Sequence, residues 1–460
     1  MEYTEFLKKK LITTTPSGFD VDDDALPVNL YPYQRDLVKW AIKRGKSAMF
    51  TMTGTGKTAM QVSWADQIAK QGYSVLILAP LAVSKQTVRE SLKFGIRVNL
   101  CRHQSDVTTG INIANYEMLH HFDPTQFGGI VLDESSIIKA YDGKMRKTIL
   151  DFARNIPYRL ACTATPSPND YMELGNHAEF LGVMSYTEML STFFVHDGGD
   201  TSKWRLKGHA EESFWRWLAS WGVFLTKPAD LGYSNEGFDL PALHTHQHVV
   251  QSEAPEGALF AFEARGLAER RGARKESLER RVEKCVEIVK ASRKPFLIWC
   301  DLNAESDLLK KSIDGAVEVT GSDSDEHKEK SMLDFAAGKI DVMITKPKIA
   351  GFGMNWQVCA DTAFVGLSDS FEAIFQSTKR FHRHGQTQEV NRHLIISEAE
   401  GSVLANVQRK ERDFMAMIEK MVEHTRMMNL ENIRSMTHQK LSYNANDAIR
   451  FPEWIVEGGY

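Results

Sequence analysis

Residues 47–70 read SAMFTMTGTGKTAMQVSWADQIAK, in which an apolar run is followed at once by a glycine-containing loop and then by a helical pattern. A strand, a glycine loop and a helix in this order form a phosphate-binding P-loop, the Walker A motif. Gly54 and Gly56 permit backbone torsions that turn N–H groups onto phosphate oxygens, and the helix N-terminus adds partial positive charge. We therefore expect a nucleotide to be bound by Thr53, Gly54, Thr55, Gly56, Lys57 and Thr58.

Hydrolysis of a nucleotide bound at this loop needs a metal cation and a general base. Lys57 is placed to reach the β- and γ-phosphates of ATP, and the Thr58 hydroxyl to ligate Mg2+. Downstream, GIVLDE at residues 129–134 reads as a strand that ends in two carboxylates, the Walker B arrangement. We expect Asp133 to hold Mg2+ through its water shell and Glu134 to orient and deprotonate the attacking water. Acidic pairs are common on surfaces, where they are merely solvated, but a pair that ends a strand after a P-loop is suited to hydrolysis.

Short apolar runs alternate with helical patterns along most of the chain. The first series is SAMFT, SVLILAP, GINIAN, GIVLDE and YRLACTATP, and the second, from about residue 295, is PFLIWC, AVEVTG, DVMITKP, TAFVGL and RHLIIS. This alternation predicts an α/β fold of parallel sheets with crossover helices, and 460 residues suffice for two such domains. The predicted divisions are an N-terminal extension (1–29), lobe 1 (30–180), a helical, aromatic insertion and arm (181–254), a charged helix (255–294), lobe 2 (295–400) and a C-terminal helical extension (401–460).

For the segments outside the two series, the structure is inferred from residue composition and spacing. Four tryptophans of the insertion favour the core of a small helical unit over a base-stacking platform. The charged helix has two open interpretations, a solvated face with i,i+4 pairs or a nucleic-acid contact. The tryptophans are Trp204, Trp215, Trp217 and Trp221, and the basic residues of the charged helix are Arg270, Arg271, Arg274, Lys275, Arg280 and Arg281. After residue 400, a helical stripe that includes Leu404, Phe414 and Met421 is expected to pack on a lobe.

Charge, cysteines and hydropathy exclude several classes of protein. A net charge of −4 argues against a polycation that coats nucleic acid, so any nucleic-acid track must be a local stripe. The five cysteines have no CxxC or zinc-site spacing and are expected to be reduced core thiols. No stretch approaches the roughly 20 apolar residues of a membrane span, and the N-terminus has no apolar signal region. We therefore expect no membrane association and a cytoplasmic location, the host cytoplasm if the protein is phage-encoded.

From about residue 30 to residue 390 the motifs resemble those of superfamily-two helicases, specifically the Swi/Snf-like DNA translocases. LYPYQ resembles the opening motif, which implies that Gln34 reads adenine. MTGTGKT resembles motif I in the looser form that allows Thr51 where a strict P-loop has glycine. LILAPLAV resembles motif Ia, DESS stands in place of the DEAH-like box, and CTATPSPND resembles motif III, which implies that Thr163 and Thr165 couple hydrolysis to movement.

The second half continues the resemblance. PFLIWC is similar to motif IV, and ITKPKIAGFGMNW to motif V, with Gly353 as a nucleotide-binding position and with KPKI as a departure. QSTKRFHRHGQ is similar to motif VI and carries Gln376, Arg380 and Arg383 at the family's separations. Two arginines three apart on a helix would share a face and converge on one phosphate chain when the lobes close. Hydrolysis would then depend on closure, with Lys57, Asp133, Glu134, Gln376, Arg380 and Arg383 as the catalytic set.

The resemblance implies two tandem recA-like P-loop domains and a motor that uses ATP and Mg2+ to move along DNA. Its DNA path would meet Pro80, Lys85, Asn115, Tyr116, Thr320, Gly321, Thr345 and Lys346. These are mostly small polar groups that suit phosphates rather than base edges, so we expect duplex DNA to be bound with low sequence specificity. The chain is similar to a compact motor of prokaryotic or phage type. Two alternatives stay open: an RNA helicase of the same superfamily, and a nucleotide-gated recruiter subunit that does not translocate.

Overall fold

The structure is a computed structural model that describes residues 14–139, 143–197, 200–251, 276–350, 354–368 and 370–437. The helices are α1 (Pro32–Arg44), α2 (Lys57–Lys70), α3 (Leu81–Ser91), α4 (Lys144–Ala153), α5 (Leu174–Leu181), α6 (Tyr186–Phe193), α7 (Glu211–Ala219), α8 (Leu278–Ala291), α9 (Asn303–Ser312), α10 (Asp325–Ala336), α11 (Pro347–Ala350), α12 (Phe371–Thr378) and α13 (Gly401–Thr437). The strands are β1 (Lys46–Thr51), β2 (Val75–Ala79), β3 (Asn99–Leu100), β4 (Ile111–Asn115), β5 (Gly129–Asp133), β6 (Tyr158–Thr163), β7 (Phe194–Asp197), β8 (Asp200–Leu206), β9 (Gly222–Leu225), β10 (Leu243–Val250), β11 (Phe296–Cys300), β12 (Val317–Glu318), β13 (Val342–Thr345), β14 (Asp361–Val365) and β15 (Val390–Ser397).

The sheet of lobe 1 is parallel, with strand order β3-β4-β2-β5-β6-β1-β9 among the described residues. Its central strands are apolar throughout because helices cover both faces, and every residue of β2 and β5 is buried. In the register of the sheet, Phe50 of β1 pairs with Thr163 of β6, and Asp133 of β5 pairs with Cys162. The carboxyl ends of β1, β5 and β6 therefore meet at one edge, where the glycine loop, the acidic pair and motif III follow.

The sheet of lobe 2 is also parallel, with strand order β10-β15-β14-β11-β13-β12 in the described part of the chain. Its core is formed by strands such as β11 and β14, every residue of which is buried. The predicted fold class, two α/β domains with parallel sheets and crossover helices, is thus confirmed. All five cysteines are buried and free, as expected for reduced core thiols.

The segment 181–254, predicted to be a helical insertion, contains α6 and α7 but also several strands. It holds an antiparallel hairpin, β7–β8, and two strands that belong to the main sheets: β9 pairs with β1 in lobe 1, and β10 pairs with β15 in lobe 2. The alternation that identifies half-buried strands is missing, because all four residues of β9 are buried whereas β10 is largely exposed. Three of the four tryptophans, Trp215, Trp217 and Trp221, are core residues as expected.

The charged helix and the C-terminal helix make buried contacts that their sequence patterns do not predict. In α8, Arg281 is fully buried and paired with Glu305, whereas the half-buried Arg280 donates to the Gln251 carbonyl, 3.1 Å away. Arg270, Arg271, Arg274 and Lys275 lie outside the described residues. The 37-residue α13 packs Val403 and Val407 into the lobe 2 core, and Phe414 and Ile433 into lobe 1 cores. It therefore contacts both lobes rather than one.

No helix among the described residues combines the length and the apolarity that crossing a membrane requires.

Candidate nucleotide site and nucleic-acid cleft

A cavity of about 240 Å³ lies between the two lobes, at the carboxyl edge of the lobe 1 sheet. Lobe 1 contributes the glycine loop and both members of the acidic pair, and lobe 2 contributes two guanidinium groups. The predicted residues that line it are Thr53, Gly54, Gly56, Lys57, Thr58, Asp133, Glu134, Arg380 and Arg383. The glycine loop with Lys57 and the two arginines of lobe 2 thus face a single cavity.

The glycine loop has the backbone conformation that its sequence predicts. Gly54 and Gly56 have φ values of 95° and 82°, in the region that favours glycine. A Cβ atom at Gly56 would lie 2.2 Å from Nε2 of Gln34, and one at Gly54 would lie 2.9 Å from the His384 backbone nitrogen. Lys57 donates from Nζ to the Thr51 carbonyl oxygen, 2.9 Å away. Burial lowers the pKa of Lys57, and the carboxylates of Glu134 and Asp133 oppose that shift.

The acidic pair is held at the end of β5 by bonds to its neighbours. Oδ1 of Asp133 accepts from Nε2 of Gln61 at 2.7 Å and from the Glu134 N–H at 3.1 Å. Burial and the adjacent Glu134 raise the pKa of Asp133 to about 6, although the Gln61 bond and Lys57 lower it. Glu134 has φ 53°, alone among the described non-glycine residues in having a positive φ. Such a backbone is strained, and it turns the side chain toward the cavity that it lines.

The donor set beside the loop fits Mg2+. Thr58 and Asp133 offer hydroxyl and carboxylate oxygens, which are the ligands of a hard cation. Among the described residues no group of three or more acidic, histidine or cysteine side chains could hold a metal ion by itself. Mg2+ typically takes one or two carboxylates and completes its shell with water and substrate phosphates, so a site of this size suits it.

The two arginines reach the cavity from beyond a helix rather than along one. Helix α12 ends at Thr378, so Arg380 and Arg383 lie in the turns that follow it, which corrects the prediction that they share a helix face. Arg380 donates to the backbone oxygen of Gln376 at 3.0 Å and to its Oε1 at 3.3 Å. Burial, followed by the Arg380 charge, lowers the pKa of Arg383 to about 10, and the carboxylates of Glu90 and Glu134 oppose this. Arg383 therefore remains a cation at neutral pH.

Several buried polar atoms on the cavity wall have no hydrogen-bond partner. Buried polar groups in folded proteins are nearly always paired, so a cluster of unpaired ones indicates a place for a polar ligand. Among the described residues that line this cavity, the unpaired atoms are Thr53 Oγ1, Gln86 Oε1, Thr87 Oγ1, Glu134 Oε2 and Arg383 Nε.

Two of the expected nucleotide-binding residues use their polar groups within lobe 1, and a third lies outside the described residues. Gln34, the expected adenine reader, is buried and donates to the Thr55 carbonyl at 2.9 Å while its Oε1 accepts from the Tyr31 N–H at 3.0 Å. Its amide therefore braces the glycine loop. Thr55 is also buried, and its hydroxyl donates to the Met52 carbonyl at 2.7 Å. Gly353 lies outside the described residues.

The motif III threonines connect the two lobes. Thr165 donates from its N–H to Oγ1 of Thr163 at 3.1 Å, and its own hydroxyl accepts from Gln376 of lobe 2 at 3.3 Å. The same hydroxyl lies 3.4 Å from Glu372, which also pairs with Lys139 of lobe 1. Lys139 and Glu372 were not expected from the sequence, because neither stands in a recognisable motif.

A larger cleft of about 920 Å³ opens between the lobes beside the nucleotide cavity. Four of the eight expected nucleic-acid residues line it: Pro80, Lys85, Tyr116 and Gly321. Its wall also carries further cations, namely Arg89, Lys93, Arg102, Lys139, Lys328 and Lys348. The cleft thus gathers several cations in a chain whose net charge is −4, although carboxylates such as Glu117 and Glu329 also line it.

Two of these cations are paired across the cleft. Lys85 and Arg89, both on α3 of lobe 1, contact the carboxylate of Glu329 on α10 of lobe 2, at 2.5 and 2.7 Å. The two cations hold the pKa of Glu329 below its usual range. Arg89 was missed in the sequence, although its i,i+4 spacing from Lys85 is a signal that the two share a helix face.

The remaining expected nucleic-acid residues lie elsewhere or have their polar groups in use. Thr345 is fully buried and donates to the Val319 carbonyl at 3.1 Å, so it does not face the cleft. Of the four that do line the cleft, Tyr116 donates from its hydroxyl to the Asp133 carbonyl at 2.6 Å and so supports the acidic pair. Asn115 accepts from Ser84 at 2.9 Å, Lys346 donates to the Asp301 carbonyl at 3.1 Å, and the Thr320 N–H donates to Asp323 at 2.7 Å.

Comparisons with known proteins agree with this arrangement. Residues 27–168 match the family model described as "Type III restriction enzyme, res subunit". A protein of Xenopus laevis named SWI/SNF-related matrix-associated actin-dependent regulator of chromatin subfamily A-like protein 1 is 23% identical over 434 residues, with 82% of this chain and 43% of that protein covered. Its namesake in Xenopus tropicalis is 22% identical over 431 residues, with the same coverage. The chain spans less than half the length of these relatives.

Among solved structures, the chain is similar to one described as the Sulfolobus solfataricus SWI2/SNF2 ATPase core in complex with dsDNA. The two are 19% identical with a TM-score of 0.42, and the match covers 92% of this chain and 99% of the other.

The two parallel-sheet lobes and the motifs that meet between them resemble those of superfamily-two helicases, a class of P-loop enzymes. Within that class, the motif series is similar to the Swi/Snf-like branch, and the Xenopus relatives carry SWI/SNF-related names.

Proposed function

We propose that this protein is a DNA-stimulated ATPase that hydrolyses ATP with Mg2+ in the cavity between its lobes and uses the cycle to move along duplex DNA. The observation that carries the proposal is the convergence of the glycine loop, the acidic pair and the two arginines on one cavity. The unpaired polar atoms on its wall support the same conclusion, since a polar ligand would satisfy them.

The motif residues that line the cavity have distinct chemical roles in this proposal. The loop amides and Lys57 bind the phosphates, and Thr58 and Asp133 would hold Mg2+. When bound, Mg2+ neutralises charge that develops on the phosphate oxygens. Glu134 orients a water molecule and takes its proton, and Arg380 and Arg383 stabilise charge on the γ-phosphoryl group. Because the arginines belong to lobe 2, hydrolysis requires both lobes to be in place.

The cleft is the proposed DNA track. Cations on both of its walls suit a phosphate backbone, which carries no sequence information, so low sequence specificity is expected. Residues Pro80, Lys85, Tyr116 and Gly321 stay proposed contacts on the basis of their place in the cleft. Arg89 and Lys328 are added to them on the same basis.

The test is ATP turnover by the purified protein with duplex, forked and single-stranded DNA and with RNA. We expect duplex DNA to give the largest stimulation, and displacement of a third strand from a triplex to report translocation without unwinding. Stimulation by RNA alone would favour an RNA helicase. Stimulated turnover without triplex displacement would favour a nucleotide-gated recruiter. A rate of ATP turnover that does not change with any nucleic acid would refute the motor.

A further inference from the structure

Glu90 is an acidic residue at the end of α3 that no motif-based assignment includes. It lines both the nucleotide cavity and the larger cleft, as only a few residues of the described chain do. The same helix carries Lys85 and Arg89, whose cations pair with Glu329 across the cleft. Glu90 therefore lies where the proposed DNA track and the proposed nucleotide site adjoin.

The carboxylate of Glu90 connects lobe 1 to lobe 2. Its Oε1 accepts from Nε2 of Gln86, one turn earlier on α3, at 2.7 Å. The same oxygen accepts from Nδ2 of Asn355, in lobe 2, at 2.9 Å. Because a carboxylate only accepts, it fixes the orientation of the Asn355 amide: the N–H side must face Glu90. Oδ1 of Asn355 is then directed into buried surroundings where it has no partner in the described residues.

Glu90 also acts electrostatically on Arg383. The guanidinium of Arg383 is destabilised by burial and by the neighbouring Arg380, and the Glu90 carboxylate opposes both effects. A negative charge on the lobe 1 wall thus attracts the lobe 2 arginine that the mechanism needs in the cavity. The Glu134 carboxylate also opposes the lowering of the Arg383 pKa, but its proposed role is to orient the attacking water.

We propose that Glu90 is a positioning residue for ATP hydrolysis, which holds Arg383 and Asn355 of lobe 2 against the nucleotide cavity of lobe 1. Because α3 also carries Lys85 and Arg89, contact of DNA with this helix would bear on the position of Glu90. This role of Glu90 rests on the proposed role of Arg383 in hydrolysis.

Three variants test the proposal by steady-state kinetics with saturating duplex DNA. Glu90→Gln removes the charge with little change in shape, and Asn355→Asp places a second carboxylate against Glu90. We expect each to lower kcat roughly 5- to 50-fold, as for partners in one polar network, while KM for ATP changes less than about twofold. In the double variant, the amide introduced at position 90 can donate to the carboxylate introduced at position 355, so the contact between the lobes is restored with the roles exchanged. We expect the double variant to turn over faster than Asn355→Asp alone.

Glu212→Gln serves as a matched control, because Glu212 is exposed on α7 and pairs only with Arg216 of its own helix among the contacts described. Its kcat is expected to equal that of the unmodified protein. If Glu90→Gln retains full kcat, or if the double variant is no better than Asn355→Asp, the positioning role is overturned. The motor function would survive that result, since it is tested separately, by the stimulation of turnover of the unmodified protein and by triplex displacement.

Discussion

Lys57 and Arg383 lie on opposite walls of the nucleotide cavity, one in each lobe. Substitutions at these two positions should have different effects on nucleotide binding and on turnover. Lys57→Ala removes the cation of the glycine loop and is expected to abolish nucleotide binding or turnover. Arg383→Ala leaves the loop intact, so it should bind nucleotide yet lose turnover by roughly 10³-fold. Binding of a fluorescent ATP analogue, measured beside kcat, separates the two. Normal turnover by Arg383→Ala would show that the two-lobe site is wrong.

His177 gives the protein a dependence of stability on pH. It is fully buried in α5, and one ring nitrogen lies 3.0 Å from the Ser135 hydroxyl. Burial lowers its pKa from 6.5 to about 4, so between these values the unfolded chain binds more protons than the native one. The contribution of neutral His177 is complete above pH 6.5 and is lost as the pH falls toward 4.

The corresponding measurement is the free energy of unfolding at about pH 7 and pH 5, for the unmodified protein and for His177→Gln. Glutamine keeps a partner for Ser135 but does not titrate. We expect the unmodified protein to lose roughly 2 kcal/mol more than the variant over this interval. Equal losses in the two proteins would show that His177 is not buried as a neutral group.

The sequence predicts which residues meet at the nucleotide site better than it predicts what their side chains do. Motif spacing follows from strand order, so Lys57, Glu134 and Arg383 could be expected at one cavity. Spacing does not determine the orientation of a side chain. Thr345 stands at a strand end as expected, but it points into the core, and the Gln34 amide is used by the glycine loop itself.

Helices α3 and α10 are joined across the cleft by one carboxylate. Glu329 pairs with Lys85 and Arg89, so in the proposed track it would compete with DNA phosphates for these two cations. Glu329→Gln is expected to tighten duplex binding about 3- to 10-fold at low salt, since each partly exposed pair is worth up to ~1 kcal/mol. The affinity should also fall more steeply with salt concentration, because more cations can neutralise phosphates.

Glu326→Gln, an exposed position on the same helix, controls for the change in net charge. Fluorescence anisotropy of labelled duplex across a salt series gives both quantities. Equal affinities for the two variants would remove Glu329 as a competitor of DNA.

At the level of elements, the apolar runs of both series predicted strands that the structure contains, because buried parallel strands are apolar throughout. β9 and β10 were missed for opposite reasons. The sequence GVFL is too short to be distinguished from a helix or loop, and LHTHQHVV is polar since it forms an exposed edge. Neither could be assigned without the neighbouring strand that each one joins, β1 for β9 and β15 for β10.

On the scale of the whole molecule, α13 has 37 residues and is therefore about 55 Å long. Its first turns are embedded in one lobe and its last turns in the other. Because this helix has a fixed length and packs on both lobes, the surfaces that it contacts cannot simply move apart. If ATP turns over as proposed, the lobes would part by rotating about this helix when the nucleotide leaves, and would return to the same alignment in every cycle.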